Sequence, residues 1–147
     1  MTHKEKALKY FDNNFNCSQA VFTTFATELG MDEELALKLS TQFGGGARCG
    51  QICGAVAGAL MVLGLTHGHS HAQDAKEKSD AYGLAVDFNE RFCKLNGSIV
   101  CKDLLKYDIT KSEDVAIIKE KMLFKSVCPK MIADATEIIE QILNENK

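Results

Sequence analysis

The segment Gly44–Leu65, GGGARCGQICGAVAGALMVLGL, decides how the rest of the chain is read. It opens on Gly44, Gly45 and Gly46, carries Cys49 and Cys53, and runs into an apolar stretch broken by Gly54, Gly58 and Gly64. Glycine loses more backbone freedom on ordering than any other residue. A helix this rich in Gly and Ala is therefore poor in intrinsic propensity. Close packing against other helices and the chemistry of the cysteines are what would offset that deficit. The segment predicts a buried helix over Gln51–Leu65 with thiols at its mouth. Gly54, Ala57 and Gly58 would let a second helix backbone approach, as G-x3-G does in membranes. That face would hold Cys53 close to cysteines of other helices, or would form a homodimer contact. Leu60, Met61 and Leu63 read as core.

Outward from this segment the chain reads as helices. Leu8, Phe11 and Phe15 share one face, which predicts an amphipathic helix over His3–Phe15. Asn16 is a good N-cap for a second helix, Cys17–Leu29, and Gly30 stands where a C′ glycine would end it. Asp32 caps a third, Glu33–Phe43, whose acidic first turn suits the helix dipole. After the Gly/Ala-rich helix comes a polar connection, THGHSH. Ala75, Ala81, Tyr82, Ala85, Phe88 and Phe92 recur at helical spacing within Ala72–Asn96. Ser98 predicts a cap for a short helix, Ile99–Lys106. Thr110 and Glu113 predict a capping box for Ser112–Phe124. The single proline, Pro129, reads as the first turn of a last helix, about Pro129–Asn144. No stretch alternates in the manner of a strand, and no repeat or linker divides the chain. The expected fold is all-α: one domain over residues 1–147, about seven helices, the Gly/Ala-rich helix at the centre.

Composition narrows the function. A chain of 147 residues that is 46% hydrophobic and 25% charged can bury a core without disulfides. A net charge of −3 with no basic run gives nucleic-acid binding no electrostatic support. The N-terminal residues mix lysines with acids and show no apolar signal region. The most apolar run, Ile52–Leu65, is shorter than the ~20 residues that span a bilayer. The expectation is a cytoplasmic protein with no membrane partner, in a compartment where thiols stay reduced. Six cysteines there point to metal or redox chemistry.

Cys17, Cys53, Cys101 and Cys128 each fall in or beside the first turn of an expected helix. A helix N-terminus offers free N–H groups and partial positive charge. The placement therefore predicts lowered thiol pKa values and accessible thiolates, the nucleophilic and metal-ligating form. Cys49 and Cys53 form C-x3-C, which is neither the C-x2-C of zinc and thioredoxin-like sites nor a ferredoxin run. A four-thiolate site would have to be assembled from distant segments. Cys49 and Cys93 read equally as ligands or as small buried hydrophobes. His67, His69 and His71 would point one way in an extended segment and could bind a metal, but a solvated loop is the simpler reading. The glycine run lacks the Gly-Lys-Ser/Thr and the spacing of a phosphate loop. Arg48 could neutralise nearby thiolates, though a lone arginine is more often a surface or capping residue.

Cys53-Gly54-Ala55-Val56-Ala57-Gly58 resembles the C-G-A-x-x-G motif of the C_GCAxxG_C_C family of redox-active proteins. Asn16-Cys17-Ser18-Gln19-Ala20 is similar to the family's first cysteine segment. The stretch Leu95–Leu105, around Cys101, is similar to its third, and Val127-Cys128-Pro129 to its fourth. The resemblance covers nearly the whole chain and implies that the family's four cysteines are Cys17, Cys53, Cys101 and Cys128, with Cys49 and Cys93 outside the pattern. It implies a redox role and names neither a substrate nor a redox partner. Three readings follow. In the first, the four cysteines hold an iron–sulfur cluster or other thiolate-bound metal for electron transfer. In the second, Cys53 attacks in thiol–disulfide exchange and Cys49 or Cys17 resolves. In the third, zinc or dimerisation stabilises a helical module.

Overall fold

The computed structural model describes residues 1–147, and it contains eight α-helices and no β-strand. In chain order they are α1 (His3–Asp12), α2 (Cys17–Glu28), α3 (Glu33–Ser40), α4 (Gly54–His67), α5 (Ala75–Asn96), α6 (Cys101–Leu105), α7 (Ser112–Glu120) and α8 (Leu123–Glu145). A single 3₁₀ turn, Thr41–Phe43, follows α3.

Capping chemistry sets the first three helices. Thr2 and Glu5 close a capping box on α1. Asn16 and Gln19 close another on α2, with Asn16 Oδ1 accepting from Gln19 N at 3.0 Å and Gln19 Oε1 accepting from Asn16 N at 2.9 Å. Asp32 accepts from Leu35 N at the head of α3. The helix expected over His3–Phe15 stops at Asp12, because Asn14 turns left-handed at φ 71°.

The core lies between α2 and α4, closed by α5 and α8. α2 contributes Val21, Phe22 and Phe25, α4 Val56, Ala59 and Val62, α5 Phe88 and Phe92, and α8 Ile132, Ile139 and Ile142. Gly58 is what lets α4 meet α2 so closely. A Cβ there would lie 2.8 Å from Ser18 O and 3.2 Å from Phe22 N. The small-residue face of α4 is thus covered by α2 of the same chain rather than left for a dimer contact. A smaller cluster, Cys101, Leu105 and Ile118, joins α6 to α7.

Three further sequence expectations need correction. The last helix starts at Leu123, not Pro129, so Pro129 sits inside α8 and the last two helices divide at Lys121–Met122. Met122 takes a left-handed φ of 56° there, which turns the chain without a glycine. Thr110 and Glu113 form no box: Thr110 Oγ1 donates to Asp108 Oδ1 at 2.6 Å, and Lys111 takes the N-cap position. Ser98 does not cap α6 directly. It accepts from Val100 N at 2.9 Å, and the helix begins at Cys101. No helix is long and apolar enough to cross a membrane.

Candidate functional site

Four separate elements each deliver one thiol to a single cavity of about 120 Å³. Cys17 is the first residue of α2, Cys53 the N-cap of α4, Cys101 the first residue of α6, and Cys128 lies in the second turn of α8. All four line the cavity, with Phe11, Leu104, Ile109, Phe124 and Met131 making much of its apolar wall.

Local structure explains the convergence. Asn16 Nδ2 donates to Thr41 O at 2.9 Å, Ser18 Oγ to Ser40 O at 2.6 Å and Gln19 Nε2 to Leu37 O at 3.0 Å. The head of α2, and Cys17 with it, is therefore pinned to the end of α3. Cys53 and Cys101 are brought together by one antiparallel bridge, Ile52 against Val100. Its hydrogen bonds are Cys53 N to Ile99 O at 2.7 Å and Cys101 N to Gln51 O at 2.6 Å. That pairing joins two segments almost fifty residues apart, and it is too short to show as a strand pattern.

The loop between α3 and α4 forms the cavity's rim. Gly45, Gly46, Ala47 and Arg48 run left-handed in succession, at φ 65°, 64°, 57° and 61°. For Ala47 and Arg48 that conformation costs about 1–2 kcal/mol each. Gly46 is required: a Cβ would run into the Gln51 backbone and Cys101 Cβ. The turn sets Arg48 as the one charged side chain lining the cavity, with Nη1 donating to Gly44 O at 3.2 Å.

The thiols are not the low-pKa thiolates that their positions suggested. Burial raises Cys17, and the N–H groups of Gly45, Ser18, Cys17 and Ala55 only partly oppose it. Burial and then charge on Cys17 push Cys53 up to about 12, against the pull of the Val56 and Ala55 N–H groups. Cys101 is pushed up to about 11 by burial and by Cys17, with Arg48 opposing. Cys128 is raised further, by burial and by the other three thiols. It also gains nothing from a helix N-terminus, since α8 begins five residues before it. Desolvation favours the neutral thiol, and in an apolar pocket it outweighs the helix ends.

Other candidates lie elsewhere. Cys49 is exposed, its Sγ 3.3 Å from Gly46 O, and Cys93 is half-buried on α5; neither lines the cavity. His67 bonds Thr66 Oγ1 at 2.9 Å and Asn146 O at 3.3 Å, while His69 and His71 are exposed. No group of three or more His, Cys, Asp or Glu side chains is drawn together so as to hold a metal ion. Sequence reasoning missed the apolar wall, whose residues are scattered from Phe11 to Met131 and look like ordinary core.

A family model described as "Putative redox-active protein (C_GCAxxG_C_C)" matches residues 15–142. No curated protein and no solved structure matches the chain.

Proposed function

The chain belongs to this family of redox-active proteins, and from that premise we propose that Cys17, Cys53, Cys101 and Cys128 hold an iron–sulfur cluster for electron transfer. The observation that carries the reading is the convergence of four thiols, from four elements, on one apolar cavity of about 120 Å³. The donor set fits: four soft sulfurs are what thiophilic metals and iron–sulfur centres take. A single zinc ion fits less well. It needs every sulfur about 2.3 Å from one point, whereas these thiols stand around a void and form no single-ion group. A multi-atom centre bound by one sulfur per corner suits that arrangement.

When bound, such a centre supplies a one-electron couple. The chain's own residues do the rest. The apolar wall of Phe11, Leu104, Ile109 and Phe124 keeps water out. N–H groups at the heads of α2 and α4 steady negative charge on the Cys17 and Cys53 sulfurs. Arg48 does the same for Cys101 from the rim. Because the metal-free thiols are protonated, uptake of the centre releases protons.

A second reading rests on the Cys17–Cys53 neighbourhood. Cys17 Sγ lies against Gly54, the residue after Cys53. Two thiols so placed could pass two electrons and two protons to an acceptor disulfide. Cys49 is off the cavity, which leaves Cys17 as the partner for Cys53.

Single serine variants separate the readings. After anaerobic reconstitution with iron and sulfide, Cys17→Ser, Cys53→Ser, Cys101→Ser and Cys128→Ser each lose most of the bound iron, while Cys49→Ser and Cys93→Ser keep it. A wild-type protein that takes up no iron, yet forms a reversible Cys17–Cys53 disulfide, would replace the first reading with the second.

A further inference from the structure

The four sulfurs are not equivalent, and one glycine makes the difference. A Cβ on Gly54 would overlap Cys17 Sγ and would lie 3.1 Å from Phe43 O and 3.2 Å from Gly44 Cα. The missing side chain is therefore occupied by a sulfur from another helix. Cys17 heads α2 and Gly54 heads α4, so that sulfur stands where two helix N-termini meet. The N–H groups that favour charge on it belong to both helix starts, Cys17 and Ser18 of α2 and Ala55 of α4, and to Gly45 of the rim loop. At Cys53 those of Val56 and Ala55, from α4 alone, favour charge. Cys128 lies in the second turn of α8, away from its N-terminus, and at Cys101 the Arg48 guanidinium is the group that favours charge.

We infer that Gly54 is a positioning residue: by leaving room for Cys17 Sγ at the joined N-termini of α2 and α4, it makes Cys17 the sulfur on which the centre's negative charge collects. This rests on reading the four-thiol cavity as the redox centre. N–H donors to sulfur favour the more negative state of a bound cluster, so the two helix starts that meet at Cys17 raise the reduction potential and polarise the site toward α2. Gly58 serves as the contrast. Its lost Cβ space is filled by the α2 backbone, not by a sulfur, so it is a packing glycine on the same face.

The test begins with reduced, metal-free protein. Amide proton resonances of Gly45 and Ser18 are recorded for wild type, Cys17→Ala, Gly54→Ala and Gly64→Ala. Cys17→Ala and Gly54→Ala move both resonances upfield, because the sulfur acceptor is removed or rotated away; Gly64→Ala, whose methyl on the same helix would meet nothing, leaves them in place. Unfolding measurements add a double-mutant cycle, in which Gly54→Ala destabilises much less in a Cys17→Ala background than in wild type. If Gly54→Ala alone does not fold, the cycle in the Cys17→Ala background and the Cys17→Ala shifts still decide. In iron–sulfur-loaded protein, Gly54→Ala lowers the reduction potential and Gly64→Ala does not. Equal destabilisation in both backgrounds, or unmoved Gly45 and Ser18 amides in Cys17→Ala, overturns the inference. A wild type that loads no iron sinks the proposed cluster, but the metal-free spectra still judge Gly54.

Discussion

His3 joins three helices through one ring. Its Nδ1 lies 2.7 Å from Glu140 of α8, its Nε2 2.7 Å from Glu28 of α2, and the ring stacks on Phe25 at 4.4 Å. Burial opposes its charge, but the hydrogen bonds and charges of Glu28 and Glu140 outweigh it and raise the pKa above 6.5. A raised folded-state pKa gives stability that is complete below the unfolded value and is lost as pH rises through the folded one. Urea midpoints should therefore fall between mildly acidic and mildly alkaline pH, and His3→Gln should flatten that fall. An equally steep fall in His3→Gln contradicts the assignment. The thiols make the second prediction at this scale. Cys53 at about 12 and Cys101 at about 11 are protonated at neutral pH, so a thiophilic ion must displace protons to bind. Cadmium affinity should rise steeply with pH, with proton release seen in weakly buffered solution. A pH-independent affinity would mean that the thiols are already ionised.

At the scale of elements, two residues decide how the helices sit. Gly58→Ala would push its methyl to 2.8 Å from Ser18 O and part α2 from α4. Overpacking of this kind costs about 1–3 kcal/mol, which thermal unfolding would show as a lowered midpoint. Pro129 is the seventh residue of α8 and gives no N–H to the carbonyl four residues back, Lys125. Interior proline costs about 3 kcal/mol, so Pro129→Ala should stabilise the protein; a loss instead would show that a bend there is needed to seat Cys128 and Ile132. The caps were legible because they are local: Asn16 and Asp32 act within a few residues. Pro129 was misread by the same logic, since proline favours a first turn but tolerates an interior when the packing of Met131, Ile132 and Ala135 holds the helix together. The left-handed run Gly45–Arg48 was legible as glycine-rich but not as a rim, because Ala47 and Arg48 adopt it against their own preference.

Across the whole molecule, three of the four cysteines sit at helix starts as expected, and all four line one cavity. Their ionisation could not be read from position, because burial depends on a wall assembled from residues as distant as Phe11 and Met131. The fold is an all-α bundle whose centre, α4, tolerates Gly58 because α2 fills the space it leaves. At the head of that helix the space is filled by sulfur. The central claim, that this four-thiol cavity holds an iron–sulfur cluster, is tested most directly by iron and acid-labile sulfide content, with the visible spectrum, of protein purified without air. The account predicts a coloured protein with stoichiometric iron and sulfide that bleaches on oxidation. A colourless, metal-free protein of unchanged fold and thermal stability would contradict it.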